Sequence, residues 1–310
     1  MAPPPPNTNR TYAAAHFGLV LDGIDQVGLF RSIEGGGVKA DVLSYQHGWG
    51  YDRWRQLGKP KYDDIKLQVG MAMSQPFYDW ISDFFAGIPT RKNGAILAAD
   101  FYYNERAKRT FTAGLIKELT FPKLDGSDKG AAYMAIAIAV ESMVFAKGSG
   151  QPITAVTGFQ NQKLWTACNF RLSFDNMPAV NTRRVSKIDS FTVKQTIMEY
   201  ASGGFRGMAK VPSQIDFPPI SFYLPEADSA PFEDIFLKRG INGQLPGRMS
   251  GQIQTYDNQG SPLFTLSFAG ADISAITPDK GDAGSEEIKQ VKIDLYTESM
   301  AFEYPRLELE

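Results

Sequence analysis

The residue types that most often perform chemistry are scarce in this sequence. Its 310 residues include two histidines, His16 and His47, and one cysteine, Cys168. The histidines lie outside metal-binding spacings such as His-Glu-x-x-His, and a zinc site would need further cysteines. Cys168 follows an apolar stretch, where a buried and unreactive thiol is expected rather than a nucleophile. We therefore expect no metal site and no catalytic histidine or cysteine.

Three further patterns have a structural explanation. Gly35-Gly36-Gly37 lacks both the Gly-Lys-Ser/Thr ending of a phosphate loop and the spacing of a dinucleotide site, so it predicts a turn or bulge. Asp63-Asp64 and Glu286-Glu287 are adjacent in sequence, and adjacent residues on a strand point to opposite faces. The sequence therefore predicts no cofactor and no catalytic constellation, although sites can also assemble from residues far apart in sequence.

Composition and charge indicate a folded chain without a strongly charged surface. Hydrophobic residues make up 43% and charged residues 21%, which is typical of a packed core. Thirty-two basic residues against 34 acidic ones argue against a dedicated nucleic-acid binder. The longest apolar run, Ala131 to Val140, is about half the length of a bilayer-spanning helix, so no membrane insertion is expected. A single cysteine fits folding in a reducing cytoplasm.

The sequence repeats itself after about half its length. Short blocks recur in the same order 155 to 157 residues later, which predicts a tandem duplication. The matching blocks are Val38-Lys39 with Val193-Lys194, Pro76-Phe77 with Pro231-Phe232, and Glu141-Ser142-Met143 with Glu298-Ser299-Met300. We predict a proline-rich arm over residues 1–12, a first domain over 13–147, a linker over 148–164 and a second domain over 165–310.

Each copy has the pattern of several strands around one helix. Alternation of apolar and small or polar residues predicts strands at Phe17–Asp22 and Met134–Val140 in the first copy. A hairpin turn is predicted at Asn104–Lys108 in the first copy and at Asp257–Gly260 in the second. The fold class is therefore mainly β, with two tandem β-sandwich or barrel domains that each carry one flanking α-helix.

The helix of each copy is predicted from apolar residues at helical spacing. They form one face in the first copy, and we expect Ser82 on the exposed side. In the second copy Arg239 replaces the last apolar residue, which predicts a shorter helix. The predicted core residues are Phe77, Trp80, Ile81 and Phe84 in the first helix and Phe232, Ile235 and Phe236 in the second.

Four segments carry a recognisable pattern, and they are Phe17–Ile24, Gly58–Leu67, Phe77–Trp80 and Ala139–Met143. These segments resemble the tail-tube proteins of contractile phages and related injection systems, which are similar in fold to type VI secretion tube proteins. The resemblance covers nearly all of the first half, and the second half follows it mainly through the internal repeat. The second half departs from the pattern because it lacks the Lys-Tyr pair after Pro212.

The resemblance implies a structural protein rather than an enzyme. Its rings would stack into the inner tube of a contractile tail or injection system, with each sheet continuing into the neighbouring domain. Three two-domain chains would form a pseudo-sixfold ring around a lumen that conducts DNA or protein cargo. Sheath and baseplate proteins would be its partners. Assembly would take place in the bacterial cytoplasm, and the product would be a virion tail or phage-like particle.

The segment Gly48–Pro60 is the candidate contact between rings. It lacks regular apolar spacing, so we expect a loop, and its aromatic and basic residues are of the kind that interfaces favour. Two interpretations stay open: the loop docks on the adjacent ring, or it folds back over its own core. The candidate interface residues are Trp49, Tyr51, Arg53, Trp54, Arg55 and Lys59.

Two other functions remain compatible with the sequence. Within the same apparatus, the chain could form a baseplate hub or a tube-initiating ring, because threefold chains can join a threefold spike to a sixfold tube. From another class, it could be a soluble two-domain protein that binds a carbohydrate or an effector. Trp49, Tyr51 and Trp54 would then supply a platform on which the ligand stacks.

Overall fold

A computed structural model describes residues 17–23, 27–153, 165–175, 177, 180–204, 206–244, 247–280 and 288–304. The predicted proline-rich arm and most of the predicted linker lie outside these residues. Strands dominate the described part of the chain, and each half contributes one α-helix, which confirms the predicted fold class. Within the described residues, no helix combines the length and apolarity needed to cross a membrane.

The first half of the chain builds a twisted antiparallel sheet and one helix, α1 (Gln75–Phe85). Its strands are β1 (Phe17–Leu21), β2 (Gly28–Gly35), β3 (Val38–Gln46), β4 (Arg53–Tyr62), β5 (Ile65–Met73), β6 (Lys92–Ala99), β7 (Glu105–Phe121), β8 (Leu124–Asp125), β9 (Met134–Ala139) and β10 (Ser142–Lys147). The sheet runs in the order β1-β6-β7-β9-β5-β2, and β10 lies beside the first part of β7. Strands β3 and β4 form a separate two-stranded ribbon.

The second half repeats this arrangement around α2 (Ala230–Phe236), which continues into a π-helical turn at Leu237–Ile241. Its strands are β11 (Phe170–Phe174), β12 (Lys187–Ile188), β13 (Phe191–Tyr200), β14 (Ala209–Asp216), β15 (Ile220–Pro225), β16 (Met249–Tyr256), β17 (Pro262–Pro278), β18 (Gln290–Tyr296) and β19 (Ser299–Glu303). The order is β11-β16-β17-β18-β15-β12, with β19 beside β17 and a β13–β14 ribbon. Every pairing of the first half thus has a counterpart in the second.

Helix α1 forms because apolar residues recur along one face after a proline in its first turn. Phe77, Trp80, Ile81 and Phe84 are all buried, and the indole Nε1 of Trp80 donates a hydrogen bond to the Thr90 carbonyl at 2.9 Å. This face closes one side of the first core.

Helix α2 is shorter, as its sequence predicts, with seven residues against eleven. Phe232 is fully buried, whereas Ile235 and Phe236 are only half-buried. At the position where α1 has Phe84, Arg239 lies in the π-helical turn and makes an ion pair with Asp272 at 3.1 Å. A cation there limits the apolar face to a single turn.

The prediction of a loop over residues 48–60 is wrong. Residues 53–62 form β4, which pairs with β3 from Val38 opposite Tyr62 to Gln46 opposite Arg53, and only residues 47–52 connect the two strands. Backbone hydrogen bonds hold such a ribbon together. Both faces of this ribbon are largely exposed, so no apolar alternation is required, and the sequence of β4 shows none.

The first hairpin is also displaced from its predicted position. Its strands are β6 and β7, and the turn lies at residues 100–104 rather than 104–108. The carboxylate of Asp100 accepts hydrogen bonds from the backbone N–H groups of Tyr102 and Asn104 at 2.9 and 3.0 Å, which stabilises the turn. The aromatic residues that suggested a strand are exposed in this turn.

Candidate assembly surfaces

The two copies join inside the chain by strand pairing. The start of β13 pairs antiparallel with the end of β7, from Phe191 opposite Phe121 to Lys194 opposite Glu118. The hydroxyls of Thr120 and Thr192 share a hydrogen bond at 2.8 Å across this pairing. Strands β8 and β12 add a short second pairing. The sheet of the first copy therefore continues into the second, and we call this contact the inner junction.

Helix α1 covers the inner junction from one side. The ring of Phe302 in β19 lies parallel to those of Tyr78 and Phe85, with centroids 6.3 and 6.1 Å away. Tyr304 stacks on Tyr78 at 4.1 Å. Ser82, expected on the exposed side of the helix, is instead half-buried and donates a hydrogen bond to the Phe302 carbonyl at 3.1 Å. The second copy covers the side of the helix that a single domain would leave in water.

Charged groups complete the inner junction. The backbone N–H of Lys210 in β14 donates to the Glu141 carboxylate at 2.7 Å, and Arg91 donates to the Lys210 carbonyl at 2.9 Å. The Lys117 ammonium lies 2.7 Å from Asp64, and this hydrogen bond raises the pKa of Lys117 above its usual value. Asp64 also lies 3.9 Å from the ammonium of Lys210. These hydrogen bonds and ion pairs surround the aromatic contact between β19 and α1 and favour one relative orientation of the two copies.

Each half of the inner junction has a more exposed counterpart in the other copy. Val193 and Phe302 are 0% and 3% exposed, whereas Val38 and Phe145, their counterparts in the first copy, are 40% and 57% exposed. We call β3 with β10 the open edge of the first copy. We call α2, the following π-helical turn and the end of β17 the open face of the second copy. Leu237 and Ile241 are the large exposed apolar residues of that face.

The predicted ring-to-ring residues all belong to the β3–β4 ribbon. Trp49 and Tyr51 in the connecting turn are fully exposed, and Trp54 is largely exposed, with the ring of His47 against it at 5.0 Å. The three basic residues Arg53, Arg55 and Lys59 are exposed along β4. The segment therefore does not fold back over the core of its own copy.

The other residues that could do chemistry have structural roles or lie outside the described chain. His16 and Glu286-Glu287 are outside it, and Cys168 is half-buried ahead of β11. Asp63 and Asp64 bind different lysines, Lys39 at 2.8 Å and Lys117 at 2.7 Å. Across the described residues, no group of histidine, cysteine and acidic side chains could hold a metal ion.

The glycine run at residues 35–37 forms the turn from β2 to β3. Gly35 has φ of +91°, and a Cβ atom placed there would overlap the Asp64 carbonyl oxygen. Only glycine fits that close approach of two backbones. The close approach to the Asp64 backbone thus explains the glycine at position 35.

Residues 13–144 match the family model described as T4-like virus tail tube protein gp19. This match confirms the predicted family resemblance over the first copy. No curated protein matches the chain significantly in sequence.

Several solved structures are similar to part of the chain. One is a chain of an extracellular contractile injection system, the PVC sheath–tube complex in its extended state, with 16% identity and a TM-score of 0.40 over 45% of this chain and 94% of that one. The tube-terminating cap of the anti-feeding prophage has 18% identity and a TM-score of 0.39, over 49% and 95%. Hcp1 from E. coli EAEC 042 has 15% identity and a TM-score of 0.27, over 44% and 92%.

Proposed function

Since the first copy matches the T4-like tail tube family, we propose that the chain is a structural subunit that builds a ring of a tail tube and does not act as an enzyme. The observation that carries the proposal is the inner junction, where β13 of one copy extends the sheet of the other. Two copies joined in this way form a segment of continuous wall. Repeating the same contact between chains would enlarge that wall.

The proposed ring contains three chains, each contributing domains 13–147 and 165–310. The open edge and the open face are different surfaces, so contact between chains is head-to-tail, and such contacts close into a ring when the rotation permits. A closed sheet removes the exposed strand edges that otherwise promote aggregation. Alternation of the two copies makes the ring pseudo-sixfold.

The β3–β4 ribbon is the proposed contact between stacked rings. Its turn exposes Trp49 and Tyr51 to water, and leaving such large rings exposed is costly unless a partner covers them. The described part of the second ribbon exposes Met198 and Tyr200 but contains no tryptophan, so only three of the six ribbons in a ring carry the tryptophan cluster. That alternation also favours a second candidate, a threefold ring at the end of a tube or in a baseplate.

The remaining parts of the proposal concern the particle. The ring would be assembled in the bacterial cytoplasm and become part of a virion tail or a phage-like particle. Sheath and baseplate proteins would contact its outside and end, and DNA or protein cargo would pass through the lumen. A chain with nearly balanced charge suits a lumen that must not retain its cargo.

Native mass spectrometry and electron microscopy of the purified protein test the assembly. We expect rings of three chains that stack into tubes at high protein concentration. Long tubes support a tube subunit and isolated rings support a tube-end component. A chain that stays monomeric at high concentration would contradict both.

A triple variant tests the role of the ribbon. Replacing Trp49, Tyr51 and Trp54 by serine should abolish stacking and leave the rings and their melting temperature unchanged. Tyr102→Ser is the control, because Tyr102 is also largely exposed but lies in the β6–β7 turn. Normal tubes from the triple variant would show that the ribbon does not join rings.

A further inference from the structure

The inner junction predicts the residues that join one chain to the next. We infer that β3 of one chain pairs with the end of β17 of a second copy, with Val38 opposite Ile276, and that Phe145 of the first inserts into a groove beside α2 of the second. The inference rests on the proposed ring and specifies its contacts. The partner is therefore another copy of this chain.

The strand register follows from the repeat. Val193 faces Leu119 in the inner junction, and both side chains are fully buried. Their counterparts are Val38, 155 residues earlier, and Ile276, 157 residues later. Val38 is exposed and Ile276 half-buried, which is the state expected of such a pair before the partner arrives.

Both strand edges required for this pairing are available. Within the described residues, β3 pairs only with β4, so its other edge has no strand beside it. The end of β17 pairs with β18 on one side, as the end of β7 pairs with β9. The opposite side of β7 receives β13, and the equivalent side of β17 has no strand among the described residues. Antiparallel pairing there would satisfy backbone groups on both chains.

The second contact is the insertion of an aromatic ring into an apolar groove. A groove of about 500 Å³ lies beside α2. Its apolar lining comes from Ala230, Phe236, Leu237, Ile241 and Ile276, and Glu233 and Asp234 also line it. Leu237 is the counterpart of Ser82, which contacts the Phe302 backbone in the inner junction.

The counterpart of Phe302 is Phe145, and it is exposed on β10 of the open edge. Because Phe145 corresponds to Phe302 and Leu237 to Ser82, Phe145 of a second copy would occupy this groove. It also brings Val38 to Ile276, which lies in the groove lining, so the strand pairing and the ring insertion meet at one place.

The two kinds of junction differ in chemistry. Tyr78 and Phe85 surround Phe302 with aromatic rings at the inner junction. At the outer junction the groove is lined by the aliphatic side chains of Leu237 and Ile241 together with one aromatic ring and two carboxylates, those of Phe236, Glu233 and Asp234. The outer junction is thus related to the inner junction in position but not in composition.

Disulfide cross-linking tests the register. In a Cys168→Ser background, Val38→Cys combined with Ile276→Cys should link separate chains, because the Cβ atoms of directly opposed strand residues lie about 4.5–5.5 Å apart, close to the separation in a disulfide. Mild oxidation should give a ladder on non-reducing gels that ends at a covalent three-chain ring. Val42→Cys with Ile276→Cys is the control, since Val42 lies four residues further along β3, and it should give no ladder.

Native mass spectrometry of the same samples distinguishes a failure of the inferred register from a failure of the proposed ring. Rings that form without the Val38–Ile276 link, or that link through Val42, would overturn the register and leave the ring intact. Monomers without any link would overturn both.

Truncation of Phe145 tests the groove. Phe145→Ala should raise the protein concentration needed for ring formation by at least about tenfold and leave the melting temperature of the dissociated chain unchanged. Val144→Ala is the matched control, because its counterpart Ala301 is exposed at the inner junction, and its effect should stay below about threefold. Equal effects of the two substitutions would overturn the insertion of Phe145.

Discussion

The two copies have the same topology but bury different surfaces. Strand β13 begins with alternating buried residues, whereas its counterpart β3 is exposed along nearly its whole length. At Val38 and Val193 the difference does not come from the residues themselves, since Val38-Lys39 and Val193-Lys194 are identical. It comes from the presence of a neighbouring copy at one place and its absence at the other. Comparison of the copies thus separates what folding buries from what association would bury.

The helices show the same contrast in a different form. Helix α1 is long, aromatic and covered on both sides, by its own core and by β19. Helix α2 is short, ends in a π-helical turn and leaves Leu237 and Ile241 exposed. The first helix therefore contributes more to the stability of the isolated chain, while the second leaves more surface for a partner.

The largest expected effect tests the difference between the helices. Trp80→Ala removes a fully buried indole and its hydrogen bond, so the free energy of unfolding should fall by about 3–5 kcal/mol. Ile235→Ala, at the equivalent position of α2, removes a half-buried side chain and should cost about 1–2 kcal/mol. Urea unfolding followed by circular dichroism measures both values.

The control for this comparison is Trp54→Ala, the same truncation at an exposed position, which should change stability by less than about 0.5 kcal/mol in the dissociated chain. If Ile235→Ala were as damaging as Trp80→Ala, the two helices would contribute equally and the contrast would fail.

A smaller effect is expected from the two equivalent phenylalanines. Phe302→Ala should lower the free energy of unfolding by about 3 kcal/mol, because the ring is buried between the copies. It should also weaken the coupling between the copies, so that thermal unfolding separates into two steps. Phe145→Ala should change neither quantity at concentrations where chains are dissociated. Calorimetry of both variants in dilute solution tests these expectations. A single unchanged unfolding transition for Phe302→Ala would show that Phe302 does not couple the two copies.

The smallest effect concerns the ribbon turns. Gly48 has φ of +68°, so Gly48→Ala should destabilise the chain by about 1 kcal/mol. Its counterpart Gly203 does not lie in the left-handed region, and Gly203→Ala should stabilise the chain by about 0.4–1 kcal/mol through the unfolded state. An added Cβ would meet nothing within 4 Å at either position. If denaturant melts showed that both substitutions change the free energy of unfolding in the same direction, the two turns would not differ in their need for glycine.

The parts of the fold that follow a strong periodicity could be predicted from the sequence. The face of α1 and the alternation of β9 are examples, because each buries one side against a core. Strand β2 could not be found, since two register shifts against β5 interrupt its alternation. The ribbon strand β4 was missed because a strand exposed on both faces needs no apolar pattern.

The candidate surfaces could be predicted only in part. The aromatic cluster of the ribbon is visible in the sequence, and the repeat shows which residues correspond. The inner junction is not visible, because Thr120 and Thr192 are 72 residues apart and nothing local marks their pairing. Ser82 was misplaced for the same reason, since its partner Phe302 lies 220 residues further along the chain.

The inner junction also has a kinetic consequence. Its two halves are tethered, so they meet at an effective concentration that reaches the millimolar range for short flexible linkers, whatever the amount of protein present. Only contacts between chains then depend on dilution. A closed assembly of these chains would contain half as many contacts between separate chains as one built from single domains. It would also open first at the untethered contacts, leaving each pair of domains together as the unit that is exchanged.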